Sequence, residues 1–127
     1  MKEKLPMAKT ILAIDDSSSI RQLLSSTLSN FGYRVIEASD GKDGLDKLEE
    51  NQPDLIITDL HMPNMDGIGL INGVRSIPAY RFLPIIMLTT EHQQAMKQAG
   101  AAAGATAWLT KPFKPEELMT VIRKVMR

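Results

Sequence analysis

Five short apolar runs divide this chain, and between them the apolar residues recur at helical spacing. The runs cover residues 10–14, 34–38, 54–58, 85–88 and 107–109. The third contains Leu55-Ile56-Ile57 without interruption, which suits a strand covered on both faces. After the first run, Ile20, Leu23, Leu24, Thr27, Leu28 and Phe31 mark the inner stripe of a helix that Gly32 stops. Asp40 stands where it can cap a second helix, with Leu45 and Leu48 inside and Lys42, Asp43, Asp46, Lys47, Glu49 and Glu50 outside. A third helix is predicted over residues 66–76, weakened by Gly69 and Gly73, and a fourth from Glu91 into the alanines at 101–103. Pro115 suits the first turn of a fifth helix, whose stripe is Leu118, Val121, Ile122 and Val125. Strand and helix alternate five times with no long linker. The pattern predicts an α/β fold, a parallel sheet with helices on both faces.

With 127 residues, 43% apolar and 24% charged, the chain can bury the core of one domain without staples. Fifteen basic residues balance fifteen acidic ones, so no overall field draws nucleic acid or an anionic membrane. The absence of cysteine excludes disulfides, Cys-ligated zinc and thiol chemistry, and fits a cytoplasmic protein. The longest apolar runs, such as 83–88, are too short to cross a bilayer. Residues 1–9 are charged, broken by Pro6 and unlike a signal peptide. They read as an N-terminal extension ahead of one domain over 10–127, and Met7 is readable as a second start. With no DNA-binding domain in the chain, direct control of transcription is not expected. Arg123, Lys124 and Arg127 read as a solvated helix end that complements the dipole rather than as a nucleic-acid site.

In an open parallel sheet, ligands bind beyond the carboxyl ends of the strands. The exits of strands one, three, four and five carry Asp15-Asp16, Asp59, Thr89 and Lys111, whereas strand two leaves through Ala38-Ser39-Asp40 and adds nothing comparable. Each residue alone has a plain structural reading. The Asp15-Asp16-Ser17 stretch can cap a helix, Thr89-Thr90 can cap another, and Lys111 can be a solvated loop lysine. Their joint placement at four exits is the stronger signal. Clustered carboxylates repel unless a cation joins them, and their hard oxygens suit Mg²⁺, or Mn²⁺ as the alternative. A carboxylate can attack a phosphoryl group, while a metal and a lysine neutralise the transferring charge and a hydroxyl bonds one of its oxygens. Asp59, alone on a central strand, is the best nucleophile. A calcium loop starting at Asp59 fails, because Pro63 and Leu70 fall where ligands are needed. The first loop also lacks the glycines of a dinucleotide site.

The stretches ILAIDDSSSIRQLL, PDLIITDLHMPNMDG, PIIMLTT and WLTKPF together resemble the response-regulator receiver domain of two-component signalling, in its stand-alone chemotaxis form. The resemblance runs from Thr10 to the C-terminus. It implies a flavodoxin-like, doubly wound five-stranded sheet in the order 2-1-3-4-5. It also implies Asp59 as phosphoacceptor, Asp16 as a direct Mg²⁺ ligand, Asp15 holding the metal through water, and His61 offering its backbone carbonyl. Thr89 then corresponds to the switch hydroxyl, Lys111 to the lysine that pairs with the phosphoryl group, and the Lys111–Pro112 bond to the family's cis peptide. Trp108 falls at the switch aromatic, where the family usually has Tyr or Phe; the alternative is a packed edge residue whose indole N–H needs a partner. His61 and Glu91 flank the position where the family tunes phosphoryl lifetime.

The partners so implied are a histidine kinase as donor, a flagellar motor switch protein as target, and a phosphatase. The chain would then be a monomer, not an enzyme in the ordinary sense, that accepts the phosphoryl group and loses it by itself. A phosphorelay role, with a histidine phosphotransfer domain as partner, is the alternative. A metal-dependent phosphatase acting on outside substrates fits less well, since 127 residues leave no cap domain to hold a substrate. Helix four, rich in small and polar residues, is expected to shift easily, or alanine merely favours helix there. With strand five and helix five it forms the expected output face, including Met96, Lys97 and Lys114.

Overall fold

The computed structural model describes residues 8–126. The nine-residue extension inferred from the sequence therefore lies largely outside the described residues, as does Arg127. Five strands, β1 (Thr10–Ile14), β2 (Arg34–Ala38), β3 (Leu55–Thr58), β4 (Ile85–Thr89) and β5 (Ala107–Thr110), alternate with α1 (Ser18–Asn30), α2 (Gly41–Glu50), α3 (Gly67–Arg75), α4 (Gln94–Ala103) and α5 (Pro115–Val125). All strand pairs are parallel, in the order β2-β1-β3-β4-β5. The order reverses beside β1, so a crevice opens at the carboxyl ends of β1 and β3.

The two-residue period of the strands sorts the core into two layers. Ile11, Ala13, Leu55, Ile57, Ile86 and Leu88 pack with Leu24 and Leu28 of α1 and Leu118, Met119 and Ile122 of α5. Leu12, Ile14, Ile56, Ile85 and Met87 point the other way, onto Leu48 of α2 and Leu70, Ile71 and Val74 of α3. β3 is buried throughout, as its unbroken apolar run requires.

Local chemistry sets the helix starts. Ser17, Asp40 and Asp66 accept from backbone N–H groups of α1, α2 and α3. Pro115 opens α5, and the Glu117 carboxylate accepts from the Lys114 N–H at 3.2 Å. Gly67 is required where α3 begins, because a Cβ there would stand 2.5 Å from the Asp59 carbonyl oxygen.

Several expectations are corrected. β3 begins at Leu55 rather than residue 54, because the Asp54 carboxylate takes the Thr10 N–H at 2.8 Å in place of a strand carbonyl. β4 and β5 each gain a threonine, since Thr89 pairs with Thr110. α4 begins at Gln94, three residues after the predicted start, and its cap position, Gln93, makes no side-chain bond. Thr89-Thr90 therefore does not cap it. Leu23 and Phe31, assigned to the inner stripe of α1, are 51% and 47% exposed, because the stripe that meets the sheet is the narrower one of Leu24, Thr27 and Leu28. A 3₁₀ turn, Pro78–Tyr80, was not foreseen.

Candidate functional site

Asp15 leaves β1 buried, with both carboxylate oxygens hydrogen-bonded. Oδ1 accepts from the Ser17 N–H at 2.9 Å and Oδ2 from the Lys111 ammonium at 2.6 Å. Asp59 leaves β3 half-buried; its Oδ1 accepts from the Leu60 N–H at 2.6 Å and its Oδ2 from Lys111 at 3.0 Å. Asp16 is exposed beside them. It does not cap α1, since Ser17 does that through its hydroxyl. One carboxylate oxygen from each of Asp15, Asp16 and Asp59 lies within 4.8 Å of the others.

Burial pushes the Lys111 ammonium toward losing its proton, but the hydrogen bonds and charges of Asp15 and Asp59 outweigh this and raise it above its ordinary value. Lys111 therefore stays charged. It faces three carboxylates, so negative charge is left in excess at one point. Two like charges 4 Å apart repel by roughly 4 kcal/mol at an effective dielectric of 20. A divalent cation with hard oxygen ligands fits this set, and Asp16, exposed, is placed to take it from the solvent side.

Thr89 ends β4 with no exposed surface, and its hydroxyl accepts from the Glu91 N–H at 3.4 Å. His61 lies on the loop after β3, largely exposed, with Nε2 2.9 Å from the Glu91 carboxylate. This contact, together with the Gln93 N–H, lowers the Glu91 carboxyl below its usual range. Trp108 of β5 is half-buried and donates from its indole nitrogen to the Glu91 carbonyl at 3.1 Å. Its ring lies against α4, where a Cβ on Gly100 would stand 2.9 Å from it. The Lys111–Pro112 peptide is cis.

The structure thus gathers Asp15, Asp16, Asp59 and Lys111 directly, and links Thr89, His61 and Trp108 through one residue, Glu91. Sequence reasoning placed Glu91 beside the site but missed this linking role, and missed Gly100 altogether. The signals were present: an indole N–H in need of an acceptor, and a small residue on the helix facing it.

A response regulator receiver domain model matches residues 11–123. Chemotaxis protein CheY4 of Vibrio cholerae has the same fold, with a TM-score of 0.90 and 46% identity over 94% of this chain and 99% of that one. Chemotaxis protein CheY1 of Helicobacter pylori is 38% identical over 118 residues, 91% of this chain and 95% of that protein. The alkaline phosphatase synthesis transcriptional regulatory protein PhoP of Bacillus subtilis is 40% identical over 121 residues, 95% of this chain but 50% of that protein. The chain therefore spans about half the length of the transcriptional regulators it matches. On the family match and the fold together, the chain belongs to the response regulator receiver domains of two-component signalling.

Proposed function

We propose that Asp59 is the phosphoacceptor of a Mg²⁺-dependent switch that controls binding of a protein partner, in chemotaxis the flagellar motor switch. The observation that carries this reading is the Lys111 ammonium bonded to both Asp15 and Asp59, with the Asp16 carboxylate beside them. In transfer, an Asp59 oxygen attacks phosphorus, the bond from phosphorus to the donor breaks, and its electron pair leaves with the donor. Lys111 exchanges one carboxylate partner for a phosphoryl oxygen and holds its charge. Asp15, Asp16, Asp59 and the His61 backbone carbonyl would hold Mg²⁺, which when bound neutralises charge on the transferring group. In the reverse reset, water attacks phosphorus, the Asp59–phosphorus bond breaks, and phosphate and the free carboxylate result.

Thr89 would signal the change. When its hydroxyl turns to a phosphoryl oxygen, the Glu91 N–H loses its acceptor, and the Glu91 carbonyl carries the Trp108 indole with it. α4 lies on the path of that movement and has only Gly100 buried among its residues. The output face then includes Met96, Lys97 and Lys114. Near-complete coverage of two chemotaxis proteins supports a chemotaxis role, acting in the cytoplasm. No helix among the described residues is long and apolar enough to cross a membrane.

Adding beryllofluoride, a phosphoryl mimic, with Mg²⁺ tests the switch. The expected result is a change in Trp108 fluorescence and in the amide shifts of α4 that Asp59→Asn abolishes. A response confined to the loops around Asp59, with α4 and Trp108 silent, contradicts it. A phosphoryl group retained for many hours and passed to a histidine phosphotransfer domain would favour the relay.

A further inference from the structure

β2 places no side chain in the acidic cluster, yet it borders β1 along its whole length. Its influence runs through Arg21. This residue sits in the first turn of α1, mostly shielded from solvent, and its Nη1 donates to the backbone carbonyl of Asp15 at 2.7 Å. Its Nε lies 3.5 Å from Glu37 Oε1 on β2, and the other Glu37 oxygen accepts from the Ser25 hydroxyl at 2.7 Å. The guanidinium thus spans from the edge of β2 to the peptide that leads from Asp15 into Asp16.

We propose that Arg21, oriented by Glu37 and Ser25, is a positioning residue for the divalent cation: by fixing the Asp15 carbonyl it fixes where the Asp15 and Asp16 carboxylates stand. The inference rests on the Mg²⁺ reading of the site and deepens it. Asp15 is the last residue before the chain bends at Asp16. Its N–H still pairs with Ala38 of β2, while its side chain goes to Ser17 and Lys111. Arg21 is the donor that meets the remaining polar atom, the carbonyl, and a planar fork holds such a peptide in one orientation better than a flexible ammonium. Released, that peptide can rotate. Rotation would move Asp16, the most exposed of the three acids.

A second effect of the same side chain has the opposite sign, which makes the proposal testable. As a nearby positive charge, Arg21 opposes a cation, so its removal by that effect alone would tighten Mg²⁺ binding. As a positioner, its removal weakens binding. The experiment is a Mg²⁺ titration of the parent chain, Arg21→Ala, Arg21→Lys and Glu37→Gln, followed by the amide shifts of Asp15, Asp16 and Asp59, with thermal unfolding measured in parallel. Arg21→Ala is expected to weaken Mg²⁺ about 10-fold, the lower end for loss of a group that orients metal ligands. Arg21→Lys keeps the charge but not the fork and should also weaken binding, and Glu37→Gln should do so by less. The Mg²⁺ needed for half-maximal phosphorylation should rise, with the rate at saturation little changed. Tighter or unchanged binding in Arg21→Ala, or unchanged binding in Arg21→Lys, overturns the proposal, and lower thermal stability with unchanged Mg²⁺ affinity does so as well. Failure of the parent chain itself to bind Mg²⁺ would instead overturn the reading of the site.

Discussion

α1, of 13 residues, and α4, of 10, each follow a strand of the same sheet but are held in different ways. α1 follows β1 through a Ser17 cap, buries Leu24, Thr27 and Leu28, and is tied to the end of β1 by Arg21. α4 follows β4 through Gln93, which caps nothing, and Gly100 is its buried residue. Met96 and Ala103 pack partly buried against the core, and α4 is clasped at its far end. There the Arg75 guanidinium donates to the Gly104 carbonyl at 2.6 Å, and Gly104 adopts φ 120°, where a side chain would be strained and would meet Arg75. Burial lowers the pKa of the half-buried Arg75 from its ordinary value. The difference teaches a division of labour. α1, beside the acidic pair, is packed to stay still, and α4, against which the Trp108 ring lies, has little packing to lose.

The sharpest way to break that comparison is to damage the rigid side. Leu28→Ala removes a side chain with no exposed surface between α1 and the sheet, and should cost about 3–4 kcal/mol in urea unfolding. If α1 were as loosely held as α4, the loss would stay below about 1 kcal/mol, because Ala favours helix at least as well as Leu and little burial would be lost. Next comes Lys111→Met. It leaves the buried Asp15 carboxylate and Asp59 without their cation and should destabilise by about 3 kcal/mol at neutral pH. Saturating Mg²⁺ should recover part of this, because a ligand that binds only the folded chain stabilises it.

On the loose side, Gly100→Ala sets a methyl against the Trp108 ring. Overpacking of this kind costs about 1–3 kcal/mol, but the half-buried Trp108 ring can turn outward, so the lower end is expected. Its signature is a red-shifted Trp108 emission as the indole leaves the Glu91 carbonyl. An unchanged spectrum would mean that α4, not the indole, had yielded. The smallest effect belongs to a helix with a proper cap. Asp40→Ala should cost about 1 kcal/mol at neutral pH by leaving the Asp43 N–H unpaired. Hydrogen bonds from Asp43 and Asn64 hold the Asp40 carboxyl below its ordinary 3.8. A lowered folded-state pKa means that this stability is present above pH 3.8 and is lost as pH falls through the lower folded value. The gap between parent and variant should therefore close in strong acid.

Much of the architecture was legible because single residues carried the local signal. The unbroken Leu55-Ile56-Ile57 run marked a strand covered on both faces, Asp40 marked a cap, and Pro115 marked a first turn. Legibility failed where an element's limits depend on partners distant in sequence. Helical spacing included Leu23 and Phe31 in α1, but how wide a stripe is covered depends on where the sheet ends. The start of α4 was set too early because Glu91 is engaged with His61, Thr89 and Trp108 instead of opening the helix. At the site, the residue types at the strand exits foretold the gathering of Asp15, Asp16, Asp59 and Lys111. Arg21 and Glu37 were not legible. Arg21 acts on a backbone carbonyl, for which no residue type in the sequence is a marker, and β2 had shown nothing of use at its exit.

The central claim is that the strand-exit cluster takes a phosphoryl group on Asp59. Intact mass after incubation with Mg²⁺ and acetyl phosphate, alongside Asp59→Asn, tests it most directly. The expected result is a gain of one phosphoryl group that requires both Mg²⁺ and Asp59. A gain that survives in Asp59→Asn, or no gain from acetyl phosphate or a histidine kinase despite bound Mg²⁺, would contradict it.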